Sequence, residues 1–197
     1  MKYTIRLSPH EAQIFNIANS AVKTKFSLGK VLIENNNLYA TDGSILIAVP
    51  CKYEGDRVEV SWRKNWKIGK SKKCSMGLLI DTAKKTVTSY SEMWGEITLE
   101  SVWGENTSFP QVERIYHSIN ANKALGKNRS EFGIDFAALS KITSVIGDKI
   151  KFMDFFGSGY EPIAIYQNSC TGLKKPFTET FNKSIHRPCV IMPMRIR

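Results

Sequence analysis

The sequence predicts an α+β fold in which helices cover one face of antiparallel sheets. Short segments with alternating apolar and polar residues are separated by turn residues, which is typical of antiparallel strands. Two other segments have apolar residues at helical spacing. The order of strand, helix and three strands recurs, with variations, three times along the 197 residues. We therefore expect repeated units of roughly 60 residues, each contributing one helix and a group of strands.

The first unit spans residues 2–52 and contains the clearest helix start. Residues 2–7 alternate as a strand with one buried face. Ser8, Pro9 and Glu11 then predict a capping box and a helix that should end near residues 23–25. Further strands are expected at 31–33, 38–40 and 45–49, with turns at 35–37 and 41–44.

The second unit repeats this order with altered proportions. A strand at 57–60 is followed by the basic and aromatic segment Trp62–Lys67, where a helix has room for only about two turns before Gly69. Strands are expected at 76–80, 86–90 and 97–102, and the unit closes on Phe109–Ile115.

Residues 118–130 have no apolar periodicity and are predicted to link two domains, residues 1–117 and residues 131–197. In the second domain, a strand at 132–135 leads into a helix that Asp135 caps and Gly147 ends. Strands are then expected at 149–155, at 162–166 and in the C-terminal tail, with a long polar loop at 171–188.

The net charge of +10 is concentrated in one part of the chain. Residues 61–85 contain eight Lys or Arg residues and one acid, Asp81, so they supply seven of the ten net charges. A localised basic patch of this kind indicates an anionic partner. A merely solvated, solubilising face is the alternative interpretation.

Several function classes have little support in the sequence. The four cysteines, at positions 51, 74, 170 and 189, form no C-x-x-C pair, and the three histidines, at positions 10, 117 and 186, suggest no nucleophile with its base. No phosphate loop or metal-ligand spacing is present, so we expect neither an enzyme nor a cofactor or metal. The sequence lacks an apolar run long enough to cross a bilayer and a signal peptide, which favours a cytoplasmic protein without a membrane partner.

The C-terminal tail, Val190–Arg197, combines β-branched residues, two methionines around Pro193, and two arginines. Val190 and Ile191 favour extended backbone, and Pro193 suits an edge strand. Methionine is common on apolar surfaces that accept varied partners. The tail is therefore either a terminal strand that closes a core or one wall of a binding surface.

Three segments together resemble the bacterial DNA sliding clamp, the β subunit of the replicative DNA polymerase III. Leu38–Gly43 with Leu46 is similar to the A-T-D-G-H-R-L segment of the clamp's middle domain. Phe109–Ile115 is similar to the F-P-x-x-x-R-V segment that closes that domain. Val190–Ile196 is close to the terminal V-V-M-P-M-R-L of the family.

The resemblance implies a DNA-clamp-like fold and a hydrophobic cleft between the middle and last domains. In the family this cleft receives short Q-L-x-L-F-like peptides of DNA polymerases, the clamp loader and repair proteins. Carried over residue by residue, the candidate cleft consists of Thr41, Gly43, Leu46, Pro110, Arg114, Ile115, Val190, Met192, Pro193, Met194, Arg195 and Ile196.

The chain departs from the family in two ways. Ser44 and Ile45 stand where the family usually has His and Arg, so one rim of the cleft lacks those polar groups. The chain also resembles about three half-domains of the family's six, the last matching the second half of the last domain. A closed ring would then require several copies, which implies a homo-oligomer.

The family places its helices on the inner wall of a ring around duplex DNA. Positive charge there faces phosphates without reading bases. Trp62 and Trp66, four residues apart among these charges, could anchor a short helix to the sheet or stack on unpaired bases; we favour the anchor. The candidate DNA-facing residues are Lys23, Lys25, Arg63, Lys64, Lys67, Lys70, Lys72, Lys73 and Lys141.

Two functions are thus expected from the sequence. The first is a sliding-clamp-like processivity factor that surrounds duplex DNA non-specifically and binds clamp-binding peptides. The second is a protein-interaction module, an adaptor or a decoy, that keeps only the peptide cleft and does not encircle DNA.

Overall fold

The computed structural model describes residues 1–20, 29–62, 67–104, 108–117, 136–147, 150–155, 163–167 and 189–191. Within these ranges the chain forms one antiparallel sheet of eleven strands accompanied by short helices, which confirms the α+β class. The strands are β1 (Lys2–Leu7), β2 (Val31–Glu34), β3 (Asn37–Thr41), β4 (Ile45–Pro50), β5 (Val58–Ser61), β6 (Met76–Asp81), β7 (Thr86–Ser91), β8 (Gly95–Trp103), β9 (Ile150–Phe155), β10 (Ile163–Gln167) and β11 (Cys189–Ile191).

The strand order is β1-β6-β7-β8-β5-β2-β3-β4-β11-β10-β9. The first strand of each predicted unit pairs with a strand of the other unit, β1 with β6 and β5 with β2. The long strand β8 joins the two halves of the sheet because residues 95–99 pair with β7 and residues 100–103 pair with β5.

The predicted strands and turns agree closely with the observed ones. The turn before β3 is confirmed by positive φ angles of 48° at Asn35 and 59° at Asn36. Asp81 closes the turn between β6 and β7, where its Oδ1 atom accepts hydrogen bonds of 3.1 Å from the amides of Ala83 and Lys84. The predicted strand at 132–135 lies outside the described residues.

The first helix begins with the predicted capping box. The Ser8 amide donates to Glu11 Oε2 at 2.9 Å, and the Glu11 amide donates to Ser8 Oγ at 3.3 Å. A 3₁₀ turn at Glu11–Gln13 leads into α1, Ile14–Asn19. The prediction of an end near residues 23–25 is wrong for α1: the Ser20 amide bonds both Asn16 O and Ile17 O, which tightens the last turn.

Of two further helices, the sequence predicts one and not the other. Residues 112–117 form α2, at a position where the sequence predicts only the end of the second unit. α3, Phe136–Ile146, occupies the predicted position, and Gly147 follows it with a φ of +59° that suits a helix end. The short helix considered within Trp62–Lys67 stays a prediction, because residues 63–66 lie outside the described residues. A 3₁₀ turn lies further along the chain, at Lys72–Cys74.

The central strands β2, β3, β4 and β11 are buried on both faces. Side chains at alternate positions, such as Ile45 and Ile191, join the main core under α1 and α3. The intervening positions, such as Leu46 and Val190, join a second cluster on the opposite face. Since β11 pairs with β4, the predicted C-terminal domain extends the sheet of the first domain. The boundary at 118–130 lies outside the described residues and stays a prediction.

Candidate peptide-binding site

The three segments that resemble the clamp family meet on the second face of the sheet. Leu46 comes from the first segment, Phe109 and Val112 from the second, and Val190 from the third. Ile115 is half-buried and packs against this group. We call this group the second-face cluster; its buried members are Leu32, Tyr39, Leu46, Ala48, Phe109, Val112, Tyr116 and Val190.

Strand register explains why these residues come together. Val190 of β11 lies opposite Leu46 of β4, and Leu46 lies opposite Thr41 of β3. Opposite residues in antiparallel strands point to the same face, so these side chains form one row across the sheet. The tail segment therefore lies beside the first segment, although the two are far apart in the sequence.

The turn from β3 to β4 is organised by Asp42. Its Oδ1 atom accepts hydrogen bonds from the Ser44 amide at 2.9 Å, from Ser44 Oγ at 2.7 Å and from the Ile45 amide at 3.1 Å. Gly43 has a φ of +94°, a conformation that favours glycine. The turn is thus fixed by the aspartate and the glycine of the Thr41–Gly43 segment.

Asp42 also connects this turn to α3. Its Oδ2 atom forms an ion pair of 2.5 Å with Lys141 Nζ, and the Asp42 side chain is 5% exposed. Burial raises the pKa of Asp42, but the hydrogen bonds from Lys141, Ser44 and Ile45 outweigh burial, and the net effect is a lowered pKa. Lys141 is ion-paired with Asp42, and this ion pair would compete with the predicted contact of Lys141 to DNA.

The segment before α2 is held by buried charge. Glu59 of β5 is fully buried, and its Oε1 atom accepts a 2.6 Å hydrogen bond from the Phe109 amide. Its Oε2 atom forms a 3.0 Å ion pair with Lys30. Arg57, which is ion-paired with Glu34, donates to the Phe109 carbonyl at 3.2 Å. Both backbone polar groups of Phe109 are therefore bound to charged side chains, which positions α2 over the second-face cluster.

The candidate cleft residues differ in accessibility. Leu46 and Val190 are 1% and 0% exposed, so they form a floor beneath the surface. Thr41 is also buried. Pro110 and Ile115 are half-buried, and Gly43 and Arg114 are exposed. Met192, Pro193, Met194, Arg195 and Ile196 lie outside the described residues, so their place in the candidate cleft stays a prediction.

Four of the candidate DNA-facing residues, Lys67, Lys70, Lys72 and Lys73, are exposed on one segment. Two side chains of the first helical region hold this segment. Gln13 Nε2 donates to the carbonyls of Ile68 and Gly69 at 2.7 Å, and Asn16 bonds both the carbonyl and the amide of Ile68. The basic segment is therefore attached directly to α1 and its preceding turn. Lys23, Lys25, Arg63 and Lys64 lie outside the described residues.

Trp62 is buried in the main core. Its ring lies 5.9 Å from that of Phe15 and 5.1 Å from that of Trp94, measured between centroids. A ring enclosed in this way has no free face for a base. The short helix that Trp62 was expected to anchor lies outside the described residues, so the anchor interpretation stays a prediction. Trp66 lies outside the described residues.

Most buried members of the second-face cluster were not among the predicted site residues. Leu32, Tyr39 and Ala48 alternate with main-core residues, and this alternation was sufficient to place them opposite that core. Glu59 was not singled out because a polar residue between two valines is typical of a solvent-facing strand position.

No group of three or more His, Cys, Asp or Glu side chains suited to a metal ion occurs in the described parts of the chain. Among the helices in those parts, none has the length and apolarity needed to span a membrane. No protein-family model matches the chain, and no curated protein matches its sequence.

Glu59→Ala should lower the free energy of unfolding by about 2–3 kcal/mol, because it leaves the Phe109 amide and the Lys30 ammonium without their partner. Urea denaturation measures the change. Glu59→Gln, which keeps an acceptor but not the charge, should lie between wild type and Glu59→Ala. Glu100→Ala on the neighbouring strand β8 removes an exposed carboxylate and should cost less than about 0.5 kcal/mol. Equal effects of Glu59→Ala and Glu100→Ala would contradict the role of Glu59.

Asp42 should make stability depend on acid pH. Since its folded-state pKa is lowered, its carboxylate stabilises the fold above the unfolded pKa of about 4, and this contribution is lost as pH falls through the folded pKa. The difference in unfolding free energy between wild type and Asp42→Asn should be on the order of 1 kcal/mol at pH 7 and should shrink below about pH 4. Urea titrations from pH 3 to 7, a range that brackets about pH 4, measure it. A difference that is constant with pH would show that the charge of Asp42 has no role.

Proposed function

We propose that the chain is a sliding-clamp-like processivity factor of DNA replication. In this role it surrounds duplex DNA without reading its sequence. It also binds short motifs of DNA polymerase, clamp-loader and repair proteins at the candidate cleft. The proposed place of action is the cytoplasm, and no enzymatic step is assigned to the chain.

The observation that carries this proposal is the meeting of three segments on one face of the sheet. Each segment on its own is a short and weak signal. Leu46, Val190 and the Phe109–Ile115 segment are far apart in the sequence but belong to one cluster. That spatial grouping is what a cleft of the clamp family requires.

The strand exchange between the first two units also supports a clamp-like repeat. β1 with β6, β7 and β8 makes one group of strands, and β5 with β2, β3 and β4 makes a corresponding group. In each group, the first strand of one unit lies at the edge of the three later strands of the other unit: β1 lies beside β6–β8, and β5 lies beside β2–β4. Two units related in this way would form one symmetric domain.

The accessible part of the candidate cleft suits a peptide that has both apolar and polar side chains. Ile115 and Pro110 offer apolar surface above the floor formed by Leu46 and Val190, and Arg114 offers an exposed charge. At about 25 cal/mol per Å² of buried apolar surface, a partner's Leu and Phe side chains are worth a few kcal/mol. Micromolar affinity, which many partners can share, corresponds to about 8 kcal/mol, so hydrogen bonds and the charge of Arg114 would supply the remainder.

The basic segment supplies the proposed contact with DNA. Lys67, Lys70, Lys72 and Lys73 are exposed, which suits mobile contacts to phosphates. Because the chain carries fewer units than a family member, we propose that several copies associate to enclose the duplex.

One observation favours the alternative of an adaptor that does not encircle DNA. Lys141 is the only basic residue within α3, and it is paired with Asp42. α3 therefore presents no unpaired cation of its own to a phosphate. In the alternative, the cleft functions without the basic segment.

Ile115→Ala should weaken binding of a synthetic peptide that contains Q-L-S-L-F by about fivefold, because it removes roughly 1 kcal/mol of apolar contact. Isothermal calorimetry measures the affinity. Val102→Ala on β8 is the matched control, since Val102 is also partly exposed and lies outside the cleft. If Ile115→Ala and Val102→Ala both bind the peptide as tightly as the wild type does, this cleft is excluded as the binding site.

The triple variant Lys67→Glu, Lys70→Glu and Lys72→Glu should lose retention on circular duplex DNA. The slope of log affinity against log salt should fall by about 2–3, since each phosphate contact contributes about 0.9. Gel filtration with circular and linearised DNA, together with the mass from light scattering, measures retention and association. The control variant changes the same charge elsewhere, at Lys2, Lys84 and Lys85, and should retain binding.

Two outcomes would decide between the proposals. A wild-type protein that is monomeric and leaves circular and linear DNA equally fast is not a ring. If this protein still binds the peptide, and the triple variant binds it equally well, the adaptor function stands instead.

A further inference from the structure

A groove of about 950 Å³ runs along the outer side of β1, on a part of the chain unrelated to the candidate cleft. One wall is β1 itself, and the other is the segment that follows β4. The residues that line it are Tyr3, Thr4, Ile5, Arg6, Asn36, Pro50, Cys51, Lys52, Tyr53 and Glu54.

The groove exposes one edge of the sheet. β1 pairs with β6 on one side, and within the described residues no strand pairs with its other side. The Met1 carbonyl accepts a 3.0 Å hydrogen bond from the Thr82 amide, next to the Lys2–Asp81 pair. Because backbone direction alternates along a strand, the peptide groups of Lys2, Thr4 and Arg6 point away from β6 and toward the groove.

The strand order shows what fits on this side. In the sheet, β5 lies beside β2, β3 and β4 in the way that β1 lies beside β6, β7 and β8. Unlike β1, β5 is paired on both sides. Its second partner is residues 100–103 of β8, in antiparallel register. β4, the strand that corresponds to β8, is already paired with β11. Pro50–Glu54, the end of β4 and the residues after it, face β1 across the groove, and within the described residues they form no ladder with it, so the edge of β1 stays open to an antiparallel strand.

The side chains of the groove define the chemistry of that strand. Tyr3 and Tyr53 make an edge contact with ring centroids 4.9 Å apart, and Pro50 adds apolar surface beside them. Arg6, Lys52 and Glu54 are exposed, and none of the three takes part in an ion pair within the described residues. Because these three side chains carry two positive charges and one negative charge, the groove favours an acidic ligand.

The groove has no nucleophilic character. Burial raises the pKa of the Cys51 thiol to about 12, so this sulfur stays protonated at neutral pH. Burial, followed by the charges of neighbouring groups, likewise raises the pKa of Tyr53 to about 12, and its hydroxyl donates to the Asp56 carbonyl. Binding, without covalent chemistry, is what these residues support.

We propose that β1 is a strand-addition site that takes an extended, acidic segment of a partner protein. The segment pairs in antiparallel direction with Lys2, Thr4 and Arg6 through main-chain hydrogen bonds. Its acidic side chains approach Arg6 and Lys52, and its apolar side chains pack against the accessible parts of Tyr3 and Pro50. Unprotected strand edges are known sites of such pairing.

The probe is a synthetic peptide with the sequence of residues 97–103, I-T-L-E-S-V-W, because β8 is the strand that fills the corresponding position beside β5. Amide hydrogen exchange measured by NMR is the readout. At saturating peptide, exchange of the Thr4 and Arg6 amides should slow by at least about tenfold. The same peptide with N-methyl groups at alternate residues should give no protection. A peptide with Lys in place of its Glu should bind at least about threefold more weakly.

The matched protein variants are Thr4→Pro and Thr4→Val. Thr4→Pro removes an amide that points away from β6, so it should leave the β1–β6 pairing in place and weaken peptide binding by at least about tenfold. Thr4→Val keeps the amide and should bind within about threefold of wild type. If Thr4→Pro unfolds the protein, the N-methylated peptide still tests the hydrogen bonds.

Three results would overturn this proposal. One is a lack of protection at Thr4 and Arg6, and a second is equal binding of the N-methylated peptide. The third is loss of self-association in Thr4→Pro, which would assign the edge to a second copy of this chain. The site is independent of the candidate cleft, so Ile115→Ala should bind the strand peptide like wild type.

Discussion

The structure depends on a sheet whose central strands are buried on both faces. α1 and α3 cover one face, and the other requires a separate cover, which the Phe109–Tyr116 segment provides. That segment is fixed by Glu59, a fully buried carboxylate. Removing such a charge from water is costly unless it is paired and hydrogen-bonded, and Lys30 and the Phe109 amide meet that condition. The same pairing therefore stabilises the fold and positions the candidate site.

The two faces are linked because each central strand contributes to both. In β4, Ile45 and Ile47 belong to the main core, whereas Leu46 and Ala48 belong to the second-face cluster. Asp42 adds a direct connection, since it orders the turn into β4 and pairs with Lys141 of α3. A change in the position of α3 would therefore act on the turn that borders the candidate cleft. This coupling needs no separate pathway, because the elements are adjacent.

The local elements could be predicted from sequence because their signals are local. The strands of the described residues that were predicted begin and end within two residues of their predicted bounds, and Ser8 with Glu11 predicts the observed capping box. Strand partners were not predictable, since β1 pairs with β6 and β11 pairs with β4 across long stretches of chain. Glu59 shows the same limit. It looks solvent-facing in its own strand, and it is buried only because a distant segment covers it.

Ser44 and Ile45 stand where the clamp segment that this chain resembles has His and Arg, and the turn explains why those residues would not fit here. Ser44 donates its hydroxyl to Asp42, and Ile45 is completely buried in the main core. A His at position 44 would lose this short hydrogen bond, and an Arg at position 45 would place a charge in an apolar core. In the proposed cleft, the cation of the described rim is therefore Arg114, which is exposed on α2. Recognition of an acidic group near the peptide motif would depend on the covering helix and not on the turn.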